Sequence, residues 1–301
     1  MKTLVKSLVC LVLSCLLLAS GGAQSAEKEA LHILLTNDDG IDAPGIKAVE
    51  KALAATHHRV TVVAPKTQQS ATSMKVTTKI LSFEKLAQNR WAVLGSPADS
   101  IAVALDLFLQ DDQPDIIISG ANFGQNLGSN TNLSGTVGAA LMGMQMGVPG
   151  IAISVGMHLD EATTKPTRFP STLAAFEPAA QFVVRLVAEL EQSRRSNASI
   201  LPKHMILNIN YPALKSGQVK APKMASVARR GGFVAKYVPG EIPNQLKVEL
   251  MHEQRSDPEL SDADIELFNQ GHITISVLEG HLGAPRLARY SLVNRMPSLF
   301  E

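Results

Sequence analysis

Acidic and amide side chains follow the first short, strand-like apolar run of the sequence. Asp38 and Asp39 come directly after residues 31–36 (LHILLT), and Asn37 and Gly40 flank them. Taken alone, Asn-Asp-Asp-Gly favours an ordinary turn. Two carboxylates that converge in a tight loop, with neutral oxygens nearby, also suit Mg²⁺, Mn²⁺ or Ca²⁺. The position of the loop after an apolar strand, facing two other polar loops, favours a metal site.

The two other loops also carry oxygen donors. Ser70 lies in residues 66–73 (KTQQSATS), and Asn122 and Asn126 lie in a Gly- and Asn-rich stretch, 120–132. Each loop follows an apolar run. In open α/β sheets, ligands bind at the carboxyl ends of the parallel strands. We therefore expect the three loops to meet around one site.

A helix rich in small residues begins at Ser134, Gly135 and Thr136. Exposed N–H groups at a helix N-terminus, together with two hydroxyl groups, form a binding site for phosphate. Ser134 also fits an ordinary N-cap, and the two roles are compatible. The glycine spacing matches neither a Walker loop nor a dinucleotide fingerprint, which disfavours a P-loop NTPase or a dehydrogenase.

The sequence gives little support for a serine hydrolase or for a metal site built from histidines. No Gly-x-Ser-x-Gly sequence is present, so a serine hydrolase of that type is unsupported. The eight histidines form no metal-ligand spacing. We expect His57 and His58 to be solvated, and His32, His204 and His272 to be structural or surface residues.

The composition indicates a globular protein. With 301 residues, 45% of them hydrophobic and 18% charged, the chain can bury a substantial core. A formal net charge of +1 gives no sign of the basic face of a nucleic-acid binder. We expect no nucleic-acid partner.

The N-terminal segment has the pattern of a secretory signal peptide. Lys2 and Lys6 precede an apolar run, 8–18, and small residues follow as far as Ala26. The run is shorter than the ~20 residues of a membrane span. We expect signal peptide 1–26 to be removed and the protein to be exported to the periplasm without a stable membrane span. An uncleaved N-terminal membrane anchor is the alternative.

Both cysteines, Cys10 and Cys15, lie within that segment. The mature chain, 27–301, would therefore contain neither a disulfide nor a thiolate metal site. Any metal must be held by oxygen or imidazole ligands.

The order of the elements predicts an α/β fold. Apolar runs alternate with helical patterns, which implies a parallel sheet with right-handed crossovers and a Rossmann-like core over 27–155. Residues 156–301 would complete the fold and supply an extended arm. The expected strands are 31–36, 60–64, 115–119, 148–155, 205–210 and 272–278, with hairpin strands in 76–93; the expected helices are 43–55, 97–109, 134–146, 178–192 and 262–269; the arm is 217–257.

Several stretches together resemble one family. The chain is similar to the SurE family of survival-protein nucleotidases, which remove phosphate from nucleoside monophosphates. The resemblance covers most of the mature chain, with weaker matches at 207–210 and 261–278. It is carried by 33–46 (ILLTNDDGIDAPGI), 60–73 (VTVVAPKTQQSATS), 95–105 (GSPADSIAVAL), 114–128 (PDIIISGANFGQNLG) and 133–141 (LSGTVGAAL).

The resemblance implies a 5′/3′-nucleotidase, a phosphoric monoester hydrolase of the acid-phosphatase type with one divalent cation per subunit. It implies a three-layer, Rossmann-like fold with a mixed, mainly parallel sheet. A C-terminal arm would exchange between the subunits of a homodimer or homotetramer. The implied residues are Asp38, Asp39, Ser70 and Asn122 for the metal, Asp38 and Asp39 for catalysis, and Asn126, Ser134, Gly135 and Thr136 for the phosphate.

The chain departs from the family pattern around the expected pocket. Leu133 stands where the family usually has Tyr, and Lys66 and Gln69 stand where it has an Asp and Arg pair. Met142 replaces an acidic residue, and Ser100 replaces a Cys. None of these is a proposed metal ligand. The residues that border the pocket bear on substrate preference.

Two other functions remain open at this stage. An exported, non-catalytic nucleotide- or phosphate-binding protein would need the helix N-terminus but not the paired carboxylates. A different metal-dependent hydrolase, such as a sugar deacetylase, would normally add histidine ligands, and none lies in the three loops. The residues also leave open which of Asp38 and Asp39 accepts a proton.

Overall fold

The structure is a computed structural model. It describes residues 30–194, 197, 199–215, 217–253, 259–281, 283, 293–296 and 298. The expected signal peptide, 1–26, lies outside the described residues.

One nine-stranded sheet organises the chain. Strand β1 (His32–Thr36) is central and pairs in parallel with β2 (Arg59–Pro65) on one side and β5 (Ile116–Phe123) on the other. The strand order is β3-β4-β2-β1-β5-β6-β7-β11-β8. Strands β3 and β11 run antiparallel to their partners β4 and β7. The other strands of this sheet are β3 (Phe83–Ala87), β4 (Arg90–Val93), β6 (Gly150–Val155), β7 (Met205–Tyr211), β8 (Lys220–Met224) and β11 (His272–Glu279).

Helices cover both faces of the sheet. In β1, Ile33 and Leu35 belong to the core cluster that also holds α1 (Pro44–Ala54) and α4 (Pro170–Arg194). Leu34 points to the opposite face, because side chains alternate along a strand, and its cluster includes Ile101 and Ala139. Those two residues lie on α2 (Pro97–Val103) and α3 (Gly135–Gln145). The predicted three-layer fold with a mixed, mainly parallel sheet is confirmed.

Some expected boundaries were wrong. Strand β5 continues past residue 119 to Phe123, so the first residues of the expected loop are strand, with a register shift between Ser119 and Asn122. Gly120 lies at φ +133°, and a Cβ there would be 2.2 Å from the carbonyl oxygen of Ile153. Only glycine fits this close approach of neighbouring strands.

Two helices also differ from the sequence prediction. Helix α4 begins at Pro170 rather than at Pro178, which lies inside it. Pro178 removes one backbone hydrogen bond, but burial of Phe176, Ala179 and Val183 against the sheet holds the helix together. Helix α2 ends at Val103, and the expected remainder continues as a π-helical segment, Ala104–Phe108.

The expected arm is shorter than 217–257. Residues Lys220–Met224 form β8 at the edge of the main sheet, next to β11. A separate antiparallel hairpin contains β9 (Gly232–Pro239) and β10 (Leu246–Glu253). The short helix α5 (Asp264–Asn269) follows.

One face of the hairpin is apolar and exposed. Leu246, Val248 and Leu250 alternate along β10, and Tyr237 is paired with Val248. These four side chains are 53–66% exposed. A two-stranded hairpin has little stability of its own in water, so this face needs a covering surface. Among the described residues, no helix combines the length and hydropathy needed to cross a membrane.

Candidate functional site

The loop after β1 is fixed to the loop after β2. The Gln69 N–H donates to the Asp38 carbonyl at 2.6 Å, and the Ile41 N–H donates to the Pro65 carbonyl at 2.8 Å. The Asn37 side chain donates to the Gly40 carbonyl at 2.8 Å, which closes the turn. Asn37 and Gly40 therefore shape the loop. The Asn-Asp-Asp-Gly segment is a turn, and the same turn carries the two candidate metal ligands.

Asp38 joins this loop to the start of α3. Its carboxylate Oδ1 accepts a 2.7 Å hydrogen bond from the Thr136 hydroxyl, and both side chains are buried. At Gly135, a Cβ would lie 2.9 Å from Asp38 Cβ and 3.0 Å from Asp38 Oδ2. The absence of a side chain at Gly135 thus lets the helix N-terminus approach the carboxylate. Two segments that are distant in sequence meet as the sequence predicts.

Asp39 is held by β5. Its Oδ2 accepts a 2.8 Å hydrogen bond from the Phe123 N–H. Asn122 precedes Phe123 and is buried; its side-chain nitrogen donates to the Gly124 carbonyl at 2.6 Å. The extension of β5 beyond the predicted strand therefore positions two of the expected ligands.

The site has an excess of buried oxygen atoms. Burial, together with the neighbouring Asp39, raises the pKa of Asp38 to about 7, and burial also raises the pKa of Asp39. Within the described part of the chain, the side-chain oxygens of Asn37 and Asn122 are buried without a hydrogen-bond partner. A divalent cation would neutralise the adjacent carboxylates and would give the Asn122 oxygen a partner. The donor set therefore fits a hard, oxygen-ligated cation.

Ser70 is the least firmly placed of the expected ligands. Its side chain is exposed, and its hydroxyl accepts a hydrogen bond from the Gln68 side chain. The bond from Gln69 to Asp38 nevertheless anchors its loop beside the carboxylates.

The start of α3 has the features of an anion site. Ser134 is the N-cap, and its hydroxyl accepts a 3.1 Å hydrogen bond from the Val137 N–H, as the N-cap interpretation predicts. The Gly135 and Thr136 N–H groups have no acceptor within the helix, because no helical carbonyl precedes them by four residues. Both the hydroxyl and the backbone N–H of Thr136 hydrogen-bond to Asp38, so the Gly135 N–H is the group of this pair that remains for an anion.

Asn126 belongs to a buried polar network that sequence reasoning missed. Its N–H donates to Asn210 Oδ1 at 2.7 Å, and its carbonyl accepts from the side chains of Asn208 and Asn210 at 2.9 and 3.2 Å. Its own side chain donates to the Ser154 hydroxyl at 2.8 Å. A signal for this network was present: two asparagines alternate at the end of an apolar strand, so they share one face.

His57 is exposed, as expected, but its Nε2 also lies 3.2 Å from the buried carboxylate of Glu191. His58 is only half-buried, and its Nδ1 accepts from the Leu31 N–H at 3.3 Å. His32 is structural, as expected: it is buried, and its Nε2 lies 2.9 Å from the Thr61 hydroxyl.

The fold and the site define the class of the protein. A mainly parallel sheet with helices on both faces carries two carboxylates and a helix N-terminus at its carboxyl edge, which is the ligand-binding edge of a Rossmann-like α/β protein. The family model described as "Survival protein SurE" matches residues 33–232. The chain belongs to the SurE family.

Individual relatives agree with this assignment. The chain is 33% identical over 259 residues to the 5'-nucleotidase SurE of Thermosynechococcus vestitus, which covers 82% of this chain and 90% of that protein. It is 32% identical to the 5'-nucleotidase SurE of Cyanothece sp., with 90% and 99% covered. The crystal structure of the SurE protein from Aquifex aeolicus is similar to it with a TM-score of 0.69 at 25% identity, covering 90% of this chain and 100% of that one.

Proposed function

We propose that this protein is a nucleotidase, a phosphoric monoester hydrolase that converts nucleoside 5′- or 3′-monophosphates to nucleoside and phosphate. One observation carries the proposal: the hydrogen bond between Thr136 and Asp38 brings a buried carboxylate, with the half-buried Asp39 next to it, to the N-terminus of α3. This arrangement puts groups for a cation and for a phosphate side by side. The relatives reported above are named 5'-nucleotidases, which supports the same substrate class.

The proposed metal is one divalent cation per subunit, Mg²⁺ or Mn²⁺, with Ca²⁺ as another ion that the site would bind. Asp38, Asp39, Ser70 and Asn122 would hold it. When bound, such a cation neutralises charge on the phosphoryl group and lowers the pKa of a water molecule. The unpaired, buried side-chain oxygen of Asn122 supports this ligand set.

The protein groups supply orientation and a proton acceptor. The N-terminus of α3, through the Gly135 N–H, would bind the equatorial oxygens of the phosphate, whose charge changes during transfer. The Thr136 hydroxyl fixes Oδ1 of Asp38, and the Phe123 N–H fixes Oδ2 of Asp39. Each carboxylate is thus oriented before substrate binds, and one of them would accept the proton of the attacking water.

The Asp38→Asn variant tests this function. We expect it to fold and to lose phosphate release from nucleoside monophosphates, because the amide removes one negative charge from the ligand set. Phosphate release is measured across a panel of nucleoside 5′- and 3′-monophosphates and generic phosphomonoesters, with Mg²⁺ or Mn²⁺ and then with a chelator. Asp42→Asn, an exposed residue beyond the same turn, is the control. Near-full turnover by Asp38→Asn would contradict the proposal.

A binding-only function has less support. Nucleotide binding by the wild-type chain without phosphate release in the presence of Mg²⁺ or Mn²⁺ would favour it over hydrolysis. The adjacent carboxylates of Asp38 and Asp39 at the helix N-terminus argue against it, since they would repel an anion that no cation neutralises.

We also propose that the protein is exported to the periplasm. The support is the sequence pattern of residues 1–26. Expression of the full chain should give a periplasmic product whose mass corresponds to cleavage after Ala23, Ser25 or Ala26. A membrane-bound product that retains Met1 would show instead that the segment is an uncleaved anchor.

A further inference from the structure

A second cluster of metal-ligating side chains lies at the end of the sheet where β2 begins. Asp38 and Asp39 lie at the opposite end, where β1 finishes. His57 and His58 lie between α1 and β2, and Glu191 lies in the last turn of α4. One ligand atom from each of the three residues falls within 4.8 Å of the others. His57 Nε2 and Glu191 Oε1 are 3.2 Å apart, and the two imidazole centroids are 4.1 Å apart. The cluster therefore joins the ends of two helices that pack on the same face of the sheet.

The environment of the cluster favours a cation. The side chain of Glu191 is 7% exposed and that of His57 is 40% exposed, so a carboxylate is buried behind a ring that solvent reaches. Both helices end here, α1 at Ala54 and α4 at Arg194, and helix C-termini carry partial negative charge. Arg194, at the end of α4, does not change this balance, because its guanidinium is bound to Asp115 at 2.9 Å.

We propose that His57, His58 and Glu191 form a second metal site, which binds one borderline divalent ion such as Zn²⁺. Imidazole suits Zn²⁺, Ni²⁺ and Cu²⁺, whereas an all-oxygen set suits Mg²⁺, Ca²⁺ or Mn²⁺. Two imidazoles and one carboxylate, with water in the fourth position, complete a tetrahedral zinc ion. The chain would then hold two metal ions of different chemical preference at opposite ends of one sheet.

Two of the three ligand atoms already have the spacing of a tetrahedral zinc site, and the third lies within 4.8 Å of them. Zinc–nitrogen bonds of about 2.0–2.1 Å place the ligand atoms of a tetrahedron about 3.3 Å apart. The His57–Glu191 distance already meets this value. If His58 binds through Nε2, its proton resides on Nδ1, and the 3.3 Å contact from the Leu31 N–H is given up.

The effect of this site would be on stability. An ion bound to residues of both segments ties the turn between α1 and β2 to the end of α4. Because the unfolded chain does not hold the three ligands together, binding stabilises the native state. We therefore expect Zn²⁺ to raise the Tm of the protein, independently of nucleotidase activity.

Metal binding to the Asp38→Asn variant tests the second metal site, because the substitution weakens the proposed oxygen-ligand site at Asp38 and Asp39. After chelator treatment and dialysis, this variant should bind one equivalent of Zn²⁺, and Co²⁺ should give the visible absorption of a tetrahedral site with nitrogen ligands. Adding Glu191→Gln or His57→Asn should weaken Zn²⁺ binding by roughly 10-fold or more and abolish the rise in Tm. His272→Ala, on β11 at the other edge of the sheet, is the matched control and should change neither measurement.

Two results would overturn the proposal. One is the absence of Zn²⁺ binding in the Asp38→Asn variant. The other is unchanged Co²⁺ absorption and Zn²⁺ affinity after both His57→Asn and Glu191→Gln. The thermal transition in chelator, which should match that of the parent, shows that these variants are folded. Failure here would leave the proposed nucleotidase function untouched, since that function is read from phosphate release with Mg²⁺ or Mn²⁺.

Discussion

At the scale of single residues, the site is defined by what touches Asp38. The sequence predicted that Asp38, Asp39 and the Ser134–Thr136 segment would meet, since each follows or begins a recognisable element. The role of the Thr136 hydroxyl was not predictable, because a hydroxyl at a helix start serves a cap, an anion or a neighbouring carboxylate equally well. Only the packing of Gly135 against Asp38 decides among these roles.

The Thr136→Val variant tests that contact. Valine keeps the shape of the side chain but removes the hydrogen bond to a carboxylate, a type of bond that contributes about 1.5–3 kcal/mol. We expect phosphate release to fall by roughly 10- to 100-fold, and Thr136→Ser to restore most of it.

Thr172→Val is the matched control, since the buried Thr172 hydroxyl donates to the Gly156 carbonyl at 2.7 Å rather than to a carboxylate. It should lower Tm without a comparable loss of activity. Equal losses of activity in the two variants would show that the Thr136 effect is merely structural.

At the scale of elements, the sequence predicted helices and strands by their apolar periodicity and missed features that depend on tertiary contacts. Strand β5 extends to Phe123 because β6 continues to pair with it as far as Val155. Helix α4 starts at Pro170, eight residues before the predicted start at Pro178, because apolar residues on both sides of Pro178 pack on the sheet. The start of α2 was predictable, since Ser96, Pro97 and Asp99 form a local N-terminal pattern.

The start of α2 gives a pH prediction, because Ser96 and Asp99 form a capping box there, in which each side chain accepts a hydrogen bond from the other's backbone N–H. Burial alone would raise the pKa of Asp99, but hydrogen bonds from Thr77 and Ser96 outweigh it and hold the pKa below its usual value of 3.8. A carboxyl whose pKa is lower in the folded state stabilises the protein above the unfolded pKa, and this stability is lost as the pH falls through the folded pKa.

Asp99→Asn should therefore lower the free energy of unfolding by about 1–3 kcal/mol at pH near 7, by loss of bonds to a charged group. The difference from wild type should shrink below a pH of about 4. Denaturant unfolding at both pH values measures it, with the exposed Asp106→Asn as control. A difference that stays constant with pH would contradict the assignment.

At the scale of the whole molecule, the hairpin β9–β10 stands apart from the nine-stranded sheet. The sequence indicated an extended arm but placed its boundaries too widely, since β8 looks equally irregular and its place in the sheet depends on β11. The exposed apolar face of the hairpin fits the homodimer or homotetramer that the family resemblance implies, and we propose that a second copy covers this face.

Charge substitutions on the hairpin test that proposal. Tyr237 and Val248 are cross-strand partners on the exposed apolar face, whereas Lys236 and Glu249 are partners on the other face. We expect Tyr237→Asp with Val248→Lys to reduce the mass measured by light scattering to that of a smaller species. Lys236→Glu with Glu249→Lys should leave it unchanged. A wild-type monomer, or a mass that both pairs leave alone, would refute the role of the hairpin.

The central position of β1 has a consequence for how the chain folds. Ile33 pairs with Val60 on one side and with Ile116 on the other. The second pairing closes a much longer loop, and parallel pairing across long loops is slow. A chain that has formed only β1, α1 and β2 has both aspartates but lacks β5 and α3, which fix them. The site is therefore complete only once β5 and α3 are in place, so it depends on contacts that are distant in sequence.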